Sequence, residues 1–336
     1  MEAAAARYCV LGGAAACRDA VARYAAAGVE HVILSTSYQA ATFEAEFGDG
    51  SKLGLQIEYV TETDPLGTGG GIANVAPRLR NDTVMVFNGD VLSGADLTQM
   101  LAAHHDTGAE LTLHLVRVSD PRAFGCVPTD DTGRVLAFLE KTEDPPTDQI
   151  NAGTYIFNRS IIDRIPRGRA VSVEREVFPA LLSDGVKVCG FVDSSYWRDM
   201  GTPEDFVRGS SDLVRGLAPS PALGGQRGES LVHDGASVAP GAVLIGGTVV
   251  GRGAEIGPGV RLDGAVIFDG ARIDAGSVVE RSIIGFGAHI GPRALIRDGV
   301  IGDGANIGAR CELLRGARVW PGVAIPDCGI RYSSDI

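Results

Sequence analysis

The sequence predicts an α/β domain followed by a triangular solenoid of short parallel strands, and three patterns carry that prediction. Up to about residue 216, apolar strand-like runs alternate with helical patterns, as in a largely parallel sheet covered by helices on both faces. The Pro/Gly/Ser-rich stretch Gly216–Gly225 then interrupts the alternation. From Val232 onward, aliphatic residues recur with a period of 17. The expected boundaries are residues 1–216 for the α/β domain, 217–230 for a linker and 231–336 for the solenoid.

Four strands are expected in the first part: Val29–Leu34, Gln56–Val60, Val84–Phe87 and Glu110–Val116. Each is a short run of β-branched, aromatic or aliphatic residues bounded by turn formers. A further short strand is expected at Val135–Leu139. Helical patterns cover Asp19–Ala27, Gln39–Phe47 and Asp96–His105. Thr202 is read as a helix N-cap, with Pro203 at the first helical position and Asp205 at the third. In the solenoid, Val250, Ile267, Ile284 and Ile301 form one row. Ile256, Ile273, Ile290 and Ile307 form a second, and Leu262, Val279, Ile296 and Leu313 a third. Three rows per period describe three walls whose inward side chains stack coil on coil.

Length and composition narrow the function. The 336 residues suffice for two domains, each with its own core. A net charge of -12 leaves no basic footprint for nucleic acid and disfavours adhesion to anionic membrane. No apolar run approaches membrane-spanning length. The alanine-rich start lacks the basic region and clean apolar core of a signal peptide. Six scattered cysteines without a CxxC pair fit reduced thiols in the cytoplasm.

The richest stretch for chemistry runs from Pro65 to Leu92. Gly67, Gly69, Gly70 and Gly71 suggest a loop ahead of a helix, where backbone can approach a flat or phosphorylated ligand. The strand Thr83–Phe87 runs straight into Asn88, Gly89 and Asp90, and the carboxyl end of a strand is where open α/β sheets bind ligands. Together these features suggest a nucleotide beside a metal-binding aspartate. Asp90 could instead be a turn residue, but the segment Ser93–Asp96 offers a cap for the next helix and leaves Asp90 no obvious structural task. Asp199 is the second candidate ligand, with an ion pair to Arg198 as its structural alternative. Two carboxylates from distant segments can hold one Mg²⁺ against phosphate oxygens, because Mg²⁺ takes few protein ligands. Asn151 offers a donor and an acceptor for sugar hydroxyls, Lys141 a charge for a phosphate, and Gly125 a close backbone approach. His104-His105 ends a helix and adjacent positions do not share a face. His289 falls within a solenoid repeat, where an exposed turn or edge position competes with a catalytic role.

In this order, PLGTGGGI, FNGD, FGCV, EK, NAGTYIF and WRDMGTPEDF, followed by the repeats, closely resemble the sugar-nucleotide pyrophosphorylases, and among them the actinobacterial mannose-1-phosphate guanylyltransferase type. The repeats resemble the hexapeptide repeats of left-handed parallel β-helices. The resemblance runs from about Ala25 to the C-terminal residues. It implies a Rossmann-like nucleotidyltransferase domain, a left-handed β-helix, and the reaction of GTP with mannose 1-phosphate to give GDP-mannose and pyrophosphate. By it, Gly67, Thr68, Gly69, Gly70 and Gly71, with Asn88 and Gly89, would bind the nucleotide. Asp90 and Asp199 would hold Mg²⁺, and Gly125, Glu140, Lys141, Asn151 and Gly153 would contact the sugar phosphate. Asp90, Asp199 and Lys141 would be the catalytic groups, acting by positioning and charge neutralisation. The partners implied are a nucleoside triphosphate and a sugar 1-phosphate, and a homo-oligomer is expected.

One segment departs from the pattern. The family's opening GGxGTRLxPLT and PKP would grip the triphosphate, but after Gly12-Gly13 this chain reads Ala14-Ala15-Ala16-Cys17-Arg18-Asp19. The stretch from Gly13 to Ala25 is too short for that loop, so little pyrophosphorylase activity is expected. A non-catalytic sugar-nucleotide-binding subunit and a hexapeptide acyltransferase are the competing functions; the latter gives no role to PLGTGGGI or FNGD.

Overall fold

The computed structural model describes residues 29, 31–36, 40–219, 227–329 and 331–333. They divide into two compact units, one reaching to Trp197 and the other starting at Arg198. The helix expected at Asp19–Ala27 and most of the Pro/Gly/Ser-rich stretch lie outside the described residues.

In the first unit, β1 (His31–Thr36) and β2 (Gln56–Thr61) pair in parallel, with α1 (Ala40–Phe47) between them in sequence. Then follow α2 (Gly67–Val75), β3 (Thr83–Phe87), β4 (Val91–Ser93), α3 (Leu97–Thr107), β5 (Leu111–Arg117), β6 (Gly125–Cys126), β7 (Leu139–Glu140) and β8 (Gln149–Asn158). The unit continues through α4 (Arg159–Ile162), a π-helical turn (Val173–Val177), α5 (Phe178–Ser183) and β9 (Val188–Asp193). The expectation of a largely parallel sheet is corrected here. Strands β3, β5 and β6 all run antiparallel to β8, and within this sheet only β5 and β9 pair in parallel. Alternation of strands and helices gives the order of elements along the chain but not the direction in which neighbours pair. The strand expected at Val135–Leu139 shrinks to Leu139–Glu140, with Val135 making only an isolated bridge to Thr129.

The core of this unit is built on alternate residues of β5 and β8. Leu111, Leu113 and Leu115 are fully buried, as are Tyr155 and Phe157, and the rings of Tyr155 and Phe157 lie 5.3 and 6.5 Å from that of Phe178. Each such side chain contributes roughly 1.5–3 kcal/mol by leaving water. Helix α3 starts where the sequence places its cap: Asp96 Oδ1 accepts from the N–H groups of Thr98 and Gln99, both at 3.0 Å. On the far side of α3, His104 is buried, with Nδ1 2.8 Å from Thr112 Oγ1 and Nε2 3.1 Å from Asn158 Oδ1. Its role is structural.

The second unit opens with α6 (Pro203–Arg215), capped as expected: Thr202 Oγ1 accepts from the N–H of Asp205 at 3.1 Å. From Ser230 the chain winds into a parallel β-solenoid of three six-stranded sheets. The three rows read from the sequence appear as three ladders. Val250 pairs with Ile267, which pairs with Ile284 and then Ile301; Ile256, Ile273, Ile290 and Ile307 form the next, and Leu262, Val279, Ile296 and Leu313 the third. These residues share one apolar core and are 2% exposed or less. Where polar side chains enter this core they bridge coils: Ser277 Oγ donates to Gly291 O and accepts from Ala294 N–H. Among the described residues, no helix is long and apolar enough to cross a membrane.

Ile290→Ala should destabilise the solenoid by about 2–5 kcal/mol, since the residue is fully buried between Ile273 and Ile307 and stacked coils relax little around a cavity. Chemical denaturation of the variant against the wild type reads this directly. A second expectation concerns pH. Burial pushes the imidazoles of His104, His114 and His233 below their ordinary range, so the folded chain holds them neutral. The unfolded chain binds those protons first, so stability should be complete above about pH 6.5 and decline as the pH falls from there through their lowered values. Unfolding free energies measured between pH 7.5 and 5 check the sign.

Candidate active site

The site is built where β8 loses its neighbour. Along one edge, β3 pairs with residues Thr154–Asn158 of β8, and β6 pairs with Ile150. Asn151, Ala152 and Gly153 lie between these two partners without a strand beside them. Along the other edge, the register with β5 slips between Leu113–Tyr155 and Leu115–Asn151, so three residues of β8 face one of β5. The slip is a bulge of the kind that re-aims side chains. Gly153 sits at its centre with φ of 75° and Asn88 against it: a Cβ there would lie 2.9 Å from Asn88 Nδ2. Glycine is required on both counts.

Three segments converge on this fork. The first is the turn after β3. Asn88 N–H donates to Gly153 O at 2.8 Å, tying the turn to the bulge, and Gly89 and Asp90 are exposed just beyond. A side chain on Gly89 would meet nothing within 4 Å, so the chain's own packing does not require glycine there. The second is β6–β7, where Gly125 pairs with Glu140. A Cβ on Gly125 would lie 2.8 Å from the Phe138 ring and 3.1 Å from Glu140 Oε2, so glycine lets this carboxylate close over the strand. Lys141 follows with φ of 50°, held by its N–H donating to Phe124 O at 3.2 Å. A left-handed non-glycine residue costs about 1–2 kcal/mol, and such strain gathers where a side chain must be aimed. The third is β8 itself: Asn151 Oδ1 accepts from Gly153 N–H at 3.2 Å, while its Nδ2 donates to the Tyr155 hydroxyl at 2.8 Å.

Two residues of the site were not read from the sequence. Tyr155 has its ring in the core and its hydroxyl on the site, where burial pushes the phenol well above its ordinary range. Glu174, on the π-helical turn, faces the same hydroxyl electrostatically and accepts from Thr68 Oγ1 at 3.3 Å and Ser172 Oγ at 3.1 Å. Ser172, which caps that turn by accepting from Arg175 N–H, was the available signal for it. Tyr155 gave none, because a tyrosine in a strand pattern reads as core.

The glycine run is arranged differently from the expected loop. Gly67–Val75 is itself the helix, α2. The N–H groups of Gly69 and Gly70 both donate to Val171 O, at 2.8 and 3.2 Å. A Cβ on Gly70 would lie 2.7 Å from Arg169 O, and one on Gly71 2.9 Å from Glu62 Oε1. Gly69 and Gly70 are buried against the Arg169–Val171 segment and Gly71 against the Glu62 side chain, whereas Gly67 and Thr68 are exposed. Glu62 closes the entry to the helix, its Oε2 accepting from Leu66 N–H at 3.0 Å.

Asp199 belongs to the second unit, where its Oδ1 accepts from Gly201 N–H at 2.8 Å. Its neighbour Arg198 forms ion pairs with Asp205 at 3.0 Å and Asp212 at 3.3 Å. His289 lies in a solenoid strand rather than a turn, with Asn306 Oδ1 at 2.9 Å and Asp274 Oδ2 at 2.8 Å. Among the described residues, no group of three or more His, Cys, Asp or Glu is gathered to hold a metal ion.

Comparison with known proteins adds the context. Residues 13–216 match the family described as nucleotidyl transferase, and residues 226–331 match the GMPPB C-terminal domain. The mannose-1-phosphate guanylyltransferase of Mycobacterium tuberculosis is 80% identical over 317 residues, covering 94% of this chain and 88% of that protein. A probable mannose-1-phosphate guanylyltransferase of Oryza sativa is 33% identical over 245 residues, covering 70% of this chain and 67% of that protein. The crystal structure of HddC from Yersinia pseudotuberculosis complexed with GMP-PN matches with a TM-score of 0.50 and 27% identity, over 58% of this chain and 84% of that one.

The packing of α2 gives a test. Glycine to alanine within a helix ordinarily stabilises by roughly 0.5–1 kcal/mol. At Gly70 the new methyl group would press on a backbone oxygen, and overpacking of that kind costs about 1–3 kcal/mol. Gly70→Ala should therefore lower the midpoint of denaturation, as read by circular dichroism.

Proposed function

The chain belongs to the nucleotidyl transferase family, and we propose that it transfers the guanylyl group of GTP to mannose 1-phosphate, giving GDP-mannose and pyrophosphate. The identity of base and sugar is carried by one observation, the 80% identity to a mannose-1-phosphate guanylyltransferase over nearly the whole chain. The fork in the sheet supports the chemistry. In such a transfer a phosphate oxygen of the sugar phosphate attacks the α-phosphorus of the nucleotide, the bond to the β-phosphate breaks, and pyrophosphate leaves.

No side-chain nucleophile is needed; the chain's task is to hold two anionic reactants in line. Asn151, partly exposed beside the bulge, suits sugar hydroxyls. Glu174 is placed to accept from a further hydroxyl. Lys141, aimed by its left-handed backbone, suits the sugar phosphate. Gly67 and Thr68, the exposed start of α2, suit the base. Asp90 is the proposed ligand of a divalent cation in the first unit; Asp199 is the other carboxylate proposed from the sequence. With no ready-made cluster of three protein ligands, the cation would complete its shell with phosphate oxygens and water, which suits Mg²⁺. When bound it neutralises charge on the phosphates. A cytoplasmic location and self-association of the chain go with this reading.

The assay is pyrophosphate release with GTP, mannose 1-phosphate and Mg²⁺. Slow turnover is expected, because Gly13–Ala25, which lies outside the described residues, lacks the GTRL and PKP residues that the resemblance gives to the triphosphate. GDP-mannose should nevertheless be the preferred product, and a preference for glucose 1-phosphate with UTP or dTTP would overturn the assignment. Asp90→Ala should lower the rate by roughly a hundredfold or more, several kcal/mol of charge stabilisation being lost, while GDP-mannose still binds.

A further inference from the structure

We propose that Tyr155 is a positioning residue of this site, its buried hydroxyl holding the carboxamides of Asn88 and Asn151 so that the turn after β3 and the bulge of β8 present themselves to substrate as one surface. The inference rests on the guanylyl-transfer reading for its substrate and on geometry for its mechanism.

Tyr155 lies in the β8 ladder, opposite Val86 on one side and Leu113 on the other, and is wholly buried. Its ring packs edge-on against Phe157 and Phe178, at 6.1 and 5.3 Å. Phenylalanine would pack there equally well, so the ring does not explain the hydroxyl. A buried phenol needs hydrogen-bond partners. Both partners found here belong to the site: Asn151 Nδ2 donates to the hydroxyl at 2.8 Å, and the Asn88 side chain makes a second hydrogen bond to it. Each asparagine is also tied to Gly153, Asn151 through its Oδ1 and Asn88 through its backbone N–H. Four residues thus form a closed ring of hydrogen bonds across the fork. Removing the hydroxyl takes away the partner that both amides share without disturbing the apolar packing below. Asp90 and Glu174 lie close enough to act electrostatically on the same hydroxyl, so the ring sits within the charged part of the site.

The test compares wild type with Tyr155→Phe. The variant should unfold at nearly the same temperature, since the ring is kept. Affinity for GDP-mannose by titration calorimetry should fall roughly three- to tenfold, the range of one hydrogen bond. The side-chain amide protons of Asn88 and Asn151, followed by NMR, should lose their protection from exchange. On an Asn151→Ala background, Tyr155→Phe should add little further loss, because the residue acts through that amide. Unchanged affinity and protection in Y155F, or penalties that simply add, would overturn the proposal. If Y155F does not fold, Asn151→Ala reads the same link from the other side: Asn88 should lose protection, and its retention would refute the coupling. Wild-type protein that binds no GDP-mannose would sink the reaction assignment, while the amide exchange still decides whether Tyr155 orders the two carboxamides.

Discussion

A ten-residue strand hydrogen-bonded on both edges cannot open to a ligand, and β8 of this fold gives up its ladder at Asn151–Gly153 on the β3 and β6 edge and at Ala152–Thr154 on the β5 edge. Every buried backbone group freed by that choice needs another partner. Gly153 O takes the N–H of Asn88, and Ala152 O takes the indole N–H of Trp197 at 2.9 Å. These replacements dictate what surrounds the fork. The turn after β3 must end against the bulge, Gly153 must be glycine, and the chain near Trp197 must return to the strand. The position of Asp90 follows from the same constraint, because it lies two residues beyond the amide that closes the gap.

Legibility in the sequence tracked how local the physics was. The solenoid was legible because its period is a property of the chain: an isoleucine every 17 residues has one way to be buried, on top of its predecessor. Caps were legible for a similar reason, since Asp96 and Thr202 act on amides two or three residues away. Strand direction was not. The runs at β3 and β5 were visible as strands, yet nothing in a buried apolar run says that both would lie antiparallel to β8.

The site divides along the same line. Asn88, Asp90, Gly125, Lys141 and Asn151 stood out as polar or glycine residues at the ends of apolar runs, where side chains leave the core. Tyr155 did not, because its ring obeys the strand pattern and only its terminal oxygen is functional. Glu174 belongs to a π-helical turn that joins the site through tertiary packing, beyond the reach of periodicity. Residues that serve a site with one atom, or from a distant segment, leave no local signature.

The glycines of α2 show how one feature can be right about place and wrong about reason. A free helix start offers several orphan N–H groups and a positive partial charge to an anion. Here two of those groups are taken by the carbonyl of Val171, and three glycines are explained by close backbone contact with Arg169 and Val171 and by the Glu62 carboxylate. A nine-residue helix with two of its first four amides occupied attracts phosphate weakly. The exposed Gly67 and Thr68 therefore suit a flat, neutral base better than a triphosphate, and under the proposed function the burden of phosphate charge would fall on Lys141 and a cation beside Asp90. What the glycine run does in the fold is to let two pieces of backbone meet, and under the proposed function that junction would form one wall of the nucleotide pocket.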